Sequence, residues 1–207
     1  LIEKVIRTKK PILISTGLNT LKENKELVNF LKKKNCKNFA LLKCTSSYPA
    51  LNKNLNLKTI EKMKNKFNCE IGFSDHTLGF TASTASIQHG ASFIEKHICL
   101  DNKTGLDAKF SLKVSDLKLF KKELRNAYLS LGKENYGPTK DEKASLVFRR
   151  SIYCSKDIKK GEKFTKSNLK VVRPGYGLEP KYLIKILGRK SKTNIEFATR
   201  IKWKHVK

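Results

Sequence analysis

Short apolar runs alternate with amphipathic segments over the first 131 residues of the chain. The apolar runs lie at 10–17, 39–45, 70–76 and 92–97, and each has the length of a single strand. Their hydrophobicity is nearly continuous, which is typical of strands in a parallel sheet that is covered on both faces. The pattern therefore predicts an α/β fold.

A helical pattern follows each run. Thr20 and Glu23 have the spacing of a capping box and predict a helix that continues to about Lys34. Further helices are predicted over 55–67 and 80–89. A fourth, with apolar residues on one face, is predicted to be capped by Ser115 and to end at Gly132. Strand and helix thus alternate in four units, which is half the number in a (β/α)8 barrel.

Polar side chains stand where each predicted strand ends, and two of them are histidines. His76 and His97 are 21 residues apart, a spacing that fits a strand, a helix and a second parallel strand. Neighbouring parallel strands lie about 4.8 Å apart, so imidazoles at matching strand ends could both reach one metal ion.

Strand alternation indicates which neighbours accompany the histidines. Ser74 shares a face with His76, and Glu95 shares a face with His97, whereas Asp75 and Lys96 point to the opposite face. One edge of the sheet is therefore predicted to carry two imidazoles, a carboxylate and a hydroxyl, which is the composition of an active site. In a (β/α)8 barrel, this carboxyl edge of the strands is where catalysis takes place.

The alternation of strand-like and helix-like segments ends after residue 131. Residues 132–148 lose the helical periodicity and are interpreted as a linker, and residues 149–207 consist of short strands and turns. Within that region, 155–164 resembles 192–201, which suggests a small β domain built from two related loops. Ala198 stands in the second loop where Gly161 stands in the first, so the second turn is expected to differ.

Composition excludes several classes of protein. No apolar run approaches the 18 residues of a membrane span, and no signal peptide is visible. The five cysteines are dispersed and form no CxxC pair, which favours reduced thiols in the cytoplasm over a structural zinc site. The formal charge of +27 raises the possibility of a nucleic-acid binder. However, the lysines are scattered without interleaved aromatic residues, so no specific nucleic acid is predicted as a partner.

Seven segments in this order resemble the sialic acid synthase family: PILISTG, LLKCTSSYPA, IGFSDHTLG, ASFIEKH, GLDAKFSL, RRSIYCSKDIKKGEKFT and RPGYGLEPKYLIKILG. The resemblance covers essentially the whole chain. It implies the C-terminal half of a (β/α)8 TIM barrel at 1–131, the linker at 132–148 and a SAF, or antifreeze-like, domain at 149–207. The other barrel half is expected in a missing N-terminal region, so residues 1–207 alone are expected to be inactive.

The family resemblance also implies a reaction. Phosphoenolpyruvate would condense with an open-chain acetamido sugar, helped by a divalent metal ion that His76 and His97 bind. Mn²⁺ is the expected ion, with Mg²⁺ or Co²⁺ as alternatives.

The remaining roles come from matching positions in the family. Glu95 and Asp107 match residues beside the metal and the sugar and are expected to be catalytic. Ser15, Ser46 and Ser74 match positions that bind phosphoenolpyruvate, and Tyr48 matches a sugar contact. Arg173 matches an arginine that reaches the partner's site, which implies a homodimer with domain-swapped SAF domains.

The segments LLKCTSSYPA and RPGYGLEPKYL are most similar to the pseudaminic acid branch of that family. The expected sugar is therefore a 2,4-diacetamido-2,4,6-trideoxy hexose. The N-acetylneuraminate and legionaminate branches remain alternatives, as does a non-catalytic SAF-type binding module.

Overall fold

The computed structural model describes residues 1–207 and divides into two compact units, Leu1–Lys133 and Glu134–Lys207. The first unit contains α1 (Ile2–Ile6), β1 (Ile12–Ser15), α2 (Leu21–Lys33), β2 (Phe39–Cys44), α3 (Lys58–Phe67), β3 (Glu70–Asp75), α4 (Thr81–Gln88), β4 (Ile94–Lys96), β5 (Ile98–Cys99), β6 (Leu112–Lys113) and α5 (Leu117–Ser130). The second contains β7 (Ser151–Cys154), β8 (Leu169–Val172) and α6 (Leu183–Ile186).

Four parallel strands form the central sheet of the first unit in the order β1-β2-β3-β4. Alternate residues of β2 and β3, among them Leu41, Ile71 and Phe73, pack against α2, α3 and α4 in one hydrophobic core. The opposite face of β2 and β3 carries the residues in between, such as Leu42 of β2 and Ser74 of β3. The α/β prediction is confirmed at this level.

Coverage of the sheet differs between its centre and its edges. β2 and β3 are almost wholly buried, as their apolar sequences predict. In contrast, Leu13 of β1 and Glu95 of β4 are exposed, because each of these strands has a hydrogen-bonded neighbour on one side only. The expectation of burial on both faces therefore fails for the outer strands.

Helix boundaries follow the sequence signals with one exception. The capping box of α2 is present, with Thr20 Oγ1 accepting from the Glu23 amide and the Glu23 carboxylate accepting from the Thr20 amide. The prediction that Ser115 caps α5 is wrong. A 3-10 turn over Val114–Asp116 precedes the helix, and the Ser115 hydroxyl bonds to Asp116 instead of a helix amide.

Two further features have no counterpart in the sequence prediction. β5 and β6 pair with each other directly after His97, which adds a small parallel ladder between β4 and α5. Residues Asp141–Phe148, interpreted from sequence as part of a linker, form a 3-10 helix. Its end is held in the second unit by the Gly175 amide, which donates to the Val147 carbonyl.

The second unit is built from two copies of one backbone pattern, 37 residues apart. Ile158 and its counterpart Ile195 exchange a reciprocal pair of 2.8 Å hydrogen bonds. The Gly161 amide donates to the Ser191 carbonyl, and the Ala198 amide donates to the Cys154 carbonyl, both at 2.9 Å. These equivalent bonds confirm the two related loops.

The expected difference between the two turns is not found. Gly161 has φ +86° and Ala198 has φ +62°, so both residues adopt the left-handed region. Ala198 accepts a conformation that its Cβ disfavours, because the surrounding paired backbone fixes it there.

Candidate active site

The two histidines meet at the carboxyl edge of the central sheet. Asp75, the last residue of β3, is in register with Lys96, the last residue of β4. The following residue in each strand is a histidine, and the two imidazole centroids lie 5.3 Å apart with their planes 82° from each other. His76 is buried, whereas His97 is about one-third exposed.

Each histidine has one ring nitrogen held by an acceptor. His76 Nδ1 lies 3.0 Å from the Thr45 carbonyl oxygen, which assigns the proton to Nδ1. His97 Nδ1 lies 3.3 Å from Asp107 Oδ2. A carbonyl or carboxylate on the second nitrogen is the usual arrangement for a metal-binding imidazole, since it fixes the tautomer and the ring orientation. Both Nε2 atoms are therefore the ones available for a ligand.

Glu95 and Ser74 form a second pair at the same edge. The Ser74 hydroxyl donates to Glu95 Oε1 at 2.7 Å and lies 3.4 Å from His76 Nε2. Ser74 is buried and the Glu95 residue is exposed, so the bond orients a carboxylate that remains accessible to a ligand. The structure thus brings together the four residues that strand alternation places on one face.

Aromatic rings line the histidines on one side. The Tyr48 ring lies 4.3 Å from the His76 ring and 5.4 Å from the Phe110 ring, and Phe110 lies 5.2 Å from the His97 ring. Phe110 was not among the predicted site residues. It lies in the same GLDAKFSL segment as Asp107, and its apolar character favours a role in the core rather than in a site.

Ser15 and Ser46 lie at the carboxyl ends of β1 and β2 and are exposed, with no hydrogen bond to either histidine. Ser46 sits against Gly17, where an added Cβ would be 2.2 Å from its hydroxyl oxygen. Arg173 is exposed and belongs to the second unit.

Three charged residues near the site, Asp75, Lys96 and Lys43, form no hydrogen bond to either histidine. Asp75 and Lys96 form a 3.0 Å ion pair with both side chains almost completely buried. Lys43 donates to the Cys44 carbonyl and the Thr45 hydroxyl, and partial burial lowers the pKa of its ammonium group. Sequence alternation indicates the face of Asp75 and Lys96 but gives no sign that they pair.

The residues present fit a divalent metal with open coordination positions. No group of three His, Cys, Asp or Glu side chains in the chain is placed to hold an ion. Two oriented imidazoles would then supply the protein ligands, and water or substrate oxygens would complete the set. Such a site would differ from a closed structural zinc site, in which all four ligands come from the protein.

A parallel α/β sheet with imidazoles, carboxylates and hydroxyls at its carboxyl edge defines an enzyme-like α/β protein. Comparison with protein families is more specific, since residues 1–136 match the NeuB family and residues 149–207 match the SAF domain. The chain belongs to the NeuB family.

Individual relatives agree with this assignment. The chain is 42% identical over 96% of its length to a pseudaminic acid synthase of Campylobacter jejuni (strain 81-176), of which it covers 58%. It is 37% identical over 91% of its length to an N,N'-diacetyllegionaminic acid synthase of Campylobacter jejuni, again covering 58%. The chain therefore spans less than two thirds of the length of these relatives.

A solved structure has a similar fold over the whole length of this chain. The chain superposes on the spore coat polysaccharide biosynthesis protein SpsE of Bacillus subtilis with a TM-score of 0.61 and 28% identity. The match covers 100% of this chain and 64% of that one.

None of the helices of the chain is both long and apolar enough to cross a membrane.

Proposed function

We propose that this chain carries the metal-binding and sugar-binding part of a synthase that condenses phosphoenolpyruvate with a 2,4-diacetamido-2,4,6-trideoxy hexose. The products would be a nonulosonic acid of the pseudaminic type and inorganic phosphate. The observation that carries the proposal is the His76–His97 pair, whose rings lie 5.3 Å apart and whose Nδ1 atoms are both bonded to acceptors, which leaves the Nε2 atoms as the ligand nitrogens. The relatives named as pseudaminic acid synthases support the choice of reaction and sugar.

The atoms of this reaction balance without an oxidant. The C3 carbon of phosphoenolpyruvate forms a bond to the aldehyde carbon, and the aldehyde oxygen takes a proton to become a hydroxyl. Water adds at C2, and the bond from C2 to the phosphate oxygen breaks to release phosphate. A divalent cation, for which we propose Mn²⁺ before Mg²⁺ or Co²⁺, would supply Lewis acidity toward the aldehyde oxygen.

Three residues of this chain would bind the sugar. Glu95, oriented by Ser74, would bind sugar hydroxyls beside the reacting aldehyde. Asp107, whose side chain is 60% exposed, would hold His97 through Nδ1 and contact the sugar with its other carboxylate oxygen. Tyr48 would pack its ring against the sugar.

Hydroxyl donors would hold the other substrate. Ser15, Ser46 and Ser74 lie at the ends of three successive strands of the sheet, where their hydroxyls would bind phosphoenolpyruvate.

The larger architecture follows the same proposal. Residues 1–131 would form the C-terminal half of a (β/α)8 barrel, 132–148 its linker and 149–207 the SAF domain. Arg173 would enter the site of a partner subunit in a homodimer, as its resemblance to the family's SAF-domain arginine implies. Its guanidinium could there donate two hydrogen bonds to hydroxyl or acetamido oxygens of the sugar. We place the enzyme in the cytoplasm, where phosphoenolpyruvate is available and free thiols stay reduced.

Phosphate release from phosphoenolpyruvate tests the proposal in the complete natural protein. Three sugars are compared: the 2,4-diacetamido-2,4,6-trideoxy hexose that leads to pseudaminic acid, its diastereomer that leads to legionaminic acid, and N-acetylmannosamine. The highest kcat/KM is expected for the first. Preference for either of the others would assign the chain to the legionaminate or the neuraminate branch, and no release with any sugar would contradict the synthase assignment.

A further inference from the structure

A buried ion pair lies between the residues of the candidate site but on the opposite face of the sheet. Asp75 stands between Ser74 and His76 in β3, and Lys96 stands between Glu95 and His97 in the neighbouring strand. Their side chains are 0% and 4% exposed, and Lys96 Nζ is 3.0 Å from Asp75 Oδ2. The pair contacts none of the groups assigned to substrates or metal.

Lys96 is bonded to both residues that flank His76. Besides its ion pair with Asp75, its ammonium donates to the Thr77 carbonyl at 2.7 Å. Asp75 Oδ1 in turn accepts from the Thr77 amide at 2.8 Å and the Thr77 hydroxyl at 2.7 Å, and Oδ2 accepts from Ser83 of α4. The residues on either side of His76 are therefore tied to Lys96, the residue that precedes His97.

Stability alone does not account for this arrangement. Taking two charges out of water costs several kcal/mol per ion, and well-packed apolar residues at such positions usually give equal or higher stability. The value of such a pair lies in its geometry, since its hydrogen bonds are satisfied in only one register of the two strands. A slip of one residue in either strand would move that strand's histidine to the opposite face of the sheet and separate it from the other histidine.

We propose that Asp75 and Lys96 form a positioning pair that fixes the separation and ring orientation of His76 and His97. Its consequence for metal affinity rests on the proposed function, whereas its effect on the two imidazoles does not. Neither residue would touch substrate.

The test removes both charges together in the variant Asp75→Asn/Lys96→Met of the complete natural protein. This combination leaves no unpaired buried charge. The asparagine Oδ1 can still accept from Thr77, and its Nδ2, which takes the place of Asp75 Oδ2, can donate to the Ser83 hydroxyl. The matched control is Lys64→Met/Glu70→Gln, which removes the exposed 3.6 Å ion pair at the opposite end of β3.

Two readouts separate positioning from simple stabilisation. In metal-free protein, the ring ¹⁵N signals of His76 and His97 report tautomer and environment. The Asp75→Asn/Lys96→Met variant is expected to shift them and to lose the uniform Nδ1–H tautomer of His76, while the control leaves them unchanged. In a Co²⁺ titration, the same variant is expected to bind about tenfold more weakly than wild type, the lower end of the loss seen when residues that orient metal ligands are replaced, because this pair acts on the ligands only through the backbone.

Wild-type ring signals in the Asp75→Asn/Lys96→Met variant would overturn the inference, as would wild-type Co²⁺ affinity. If wild-type protein itself binds Co²⁺ no better than a His76→Ala/His97→Ala variant, the metal in the proposed function fails. The ring signals then still decide the positioning role. If the double variant does not fold, Lys96→Arg is used instead, because it keeps the positive charge but replaces the compact ammonium with a larger, planar guanidinium group. It is expected to shift the His76 signals, and unchanged signals would again overturn the inference.

Discussion

At the scale of single residues, Gly17 has a steric role beside the proposed phosphoenolpyruvate position. A Cβ on Gly17 would lie 2.2 Å from Ser46 Oγ and 3.0 Å from Cys44 Sγ. Its φ is not in the left-handed region, so glycine is required for space rather than for backbone conformation.

We therefore expect Gly17→Ala to fold and to turn the Ser46 hydroxyl away from its present position. KM for phosphoenolpyruvate should rise roughly tenfold, the value of one hydrogen bond to a charged group, while KM for the sugar stays unchanged. Steady-state kinetics measure both constants, with Ser46→Ala as the matched control. An unchanged KM for phosphoenolpyruvate in both Gly17→Ala and Ser46→Ala would show that Ser46 does not bind phosphoenolpyruvate.

Sequence reasoning succeeds at the site wherever the backbone alone decides the outcome. Alternation along β3 and β4 predicts that Ser74, His76 and Glu95 share a face, and in the structure Ser74 contacts both of the others. The partners that orient the histidines, Thr45 and Asp107, come from loops, and their positions depend on loop conformations that no periodicity encodes.

At the scale of secondary-structure elements, the two loops of the second unit provide a matched experiment. Gly161 and Ala198 occupy equivalent left-handed positions, but only glycine adopts this region without steric cost. Ala198→Gly should therefore stabilise the protein by about 0.5–1 kcal/mol, after the entropy of the added glycine is subtracted. Gly161→Ala should destabilise it by about 1 kcal/mol.

Urea unfolding of both variants measures these changes. Opposite signs for the two substitutions are the expected result. Equal signs would contradict the equivalence of the loops.

The same repeat predicts a pH effect. His205 Nδ1 accepts from the Lys202 amide at 3.2 Å, whereas at the equivalent position Asn168 Oδ1 accepts from the Thr165 amide at 2.8 Å. Burial, together with the neighbouring Lys204 and Lys202, lowers the pKa of His205 from 6.5. The unfolded chain then binds the proton more readily, so the stability from this bond is present above about pH 6.5 and is lost as the pH falls through the folded-state pKa.

His205→Asn should keep the hydrogen bond and remove this part of the pH dependence. Thermal unfolding between pH 7.5 and 5.5 compares it with wild type, and carboxylates contribute equally to both proteins. A wild-type pH dependence in His205→Asn would show that His205 does not cause it.

Element boundaries were predictable from sequence where a local signal determines them. The Thr20–Glu23 box correctly marks the start of α2, because both hydrogen bonds lie within one turn. The Ser115 cap failed because a 3-10 turn over Val114–Asp116 moves the N-cap of α5 by one residue, from Ser115 to Asp116. Ala198 failed for the opposite reason, since paired backbone from the other loop overrides the local preference.

At the scale of the whole molecule, the proposal that Arg173 acts in a partner's site predicts complementation between inactive subunits. An Arg173→Ala subunit of the complete protein is mixed with a His76→Ala subunit under conditions of proven exchange. Mixed dimers would contain one site with both groups intact, so phosphate release should recover. The absence of recovery would place Arg173 in its own subunit's site or outside catalysis.

The measurement that tests the central claim most directly is metal content together with turnover in four forms of the complete protein. These are wild type, His76→Ala, His97→Ala and His89→Ala, the last being a histidine of the same unit outside the candidate site. Wild type and His89→Ala should bind one Mn²⁺ per subunit, lose phosphate release on chelation and regain it with Mn²⁺. Each of the other two should remain folded but lose both the metal and the activity. Full turnover by a His76→Ala/His97→Ala variant in chelator-treated buffer would contradict the account.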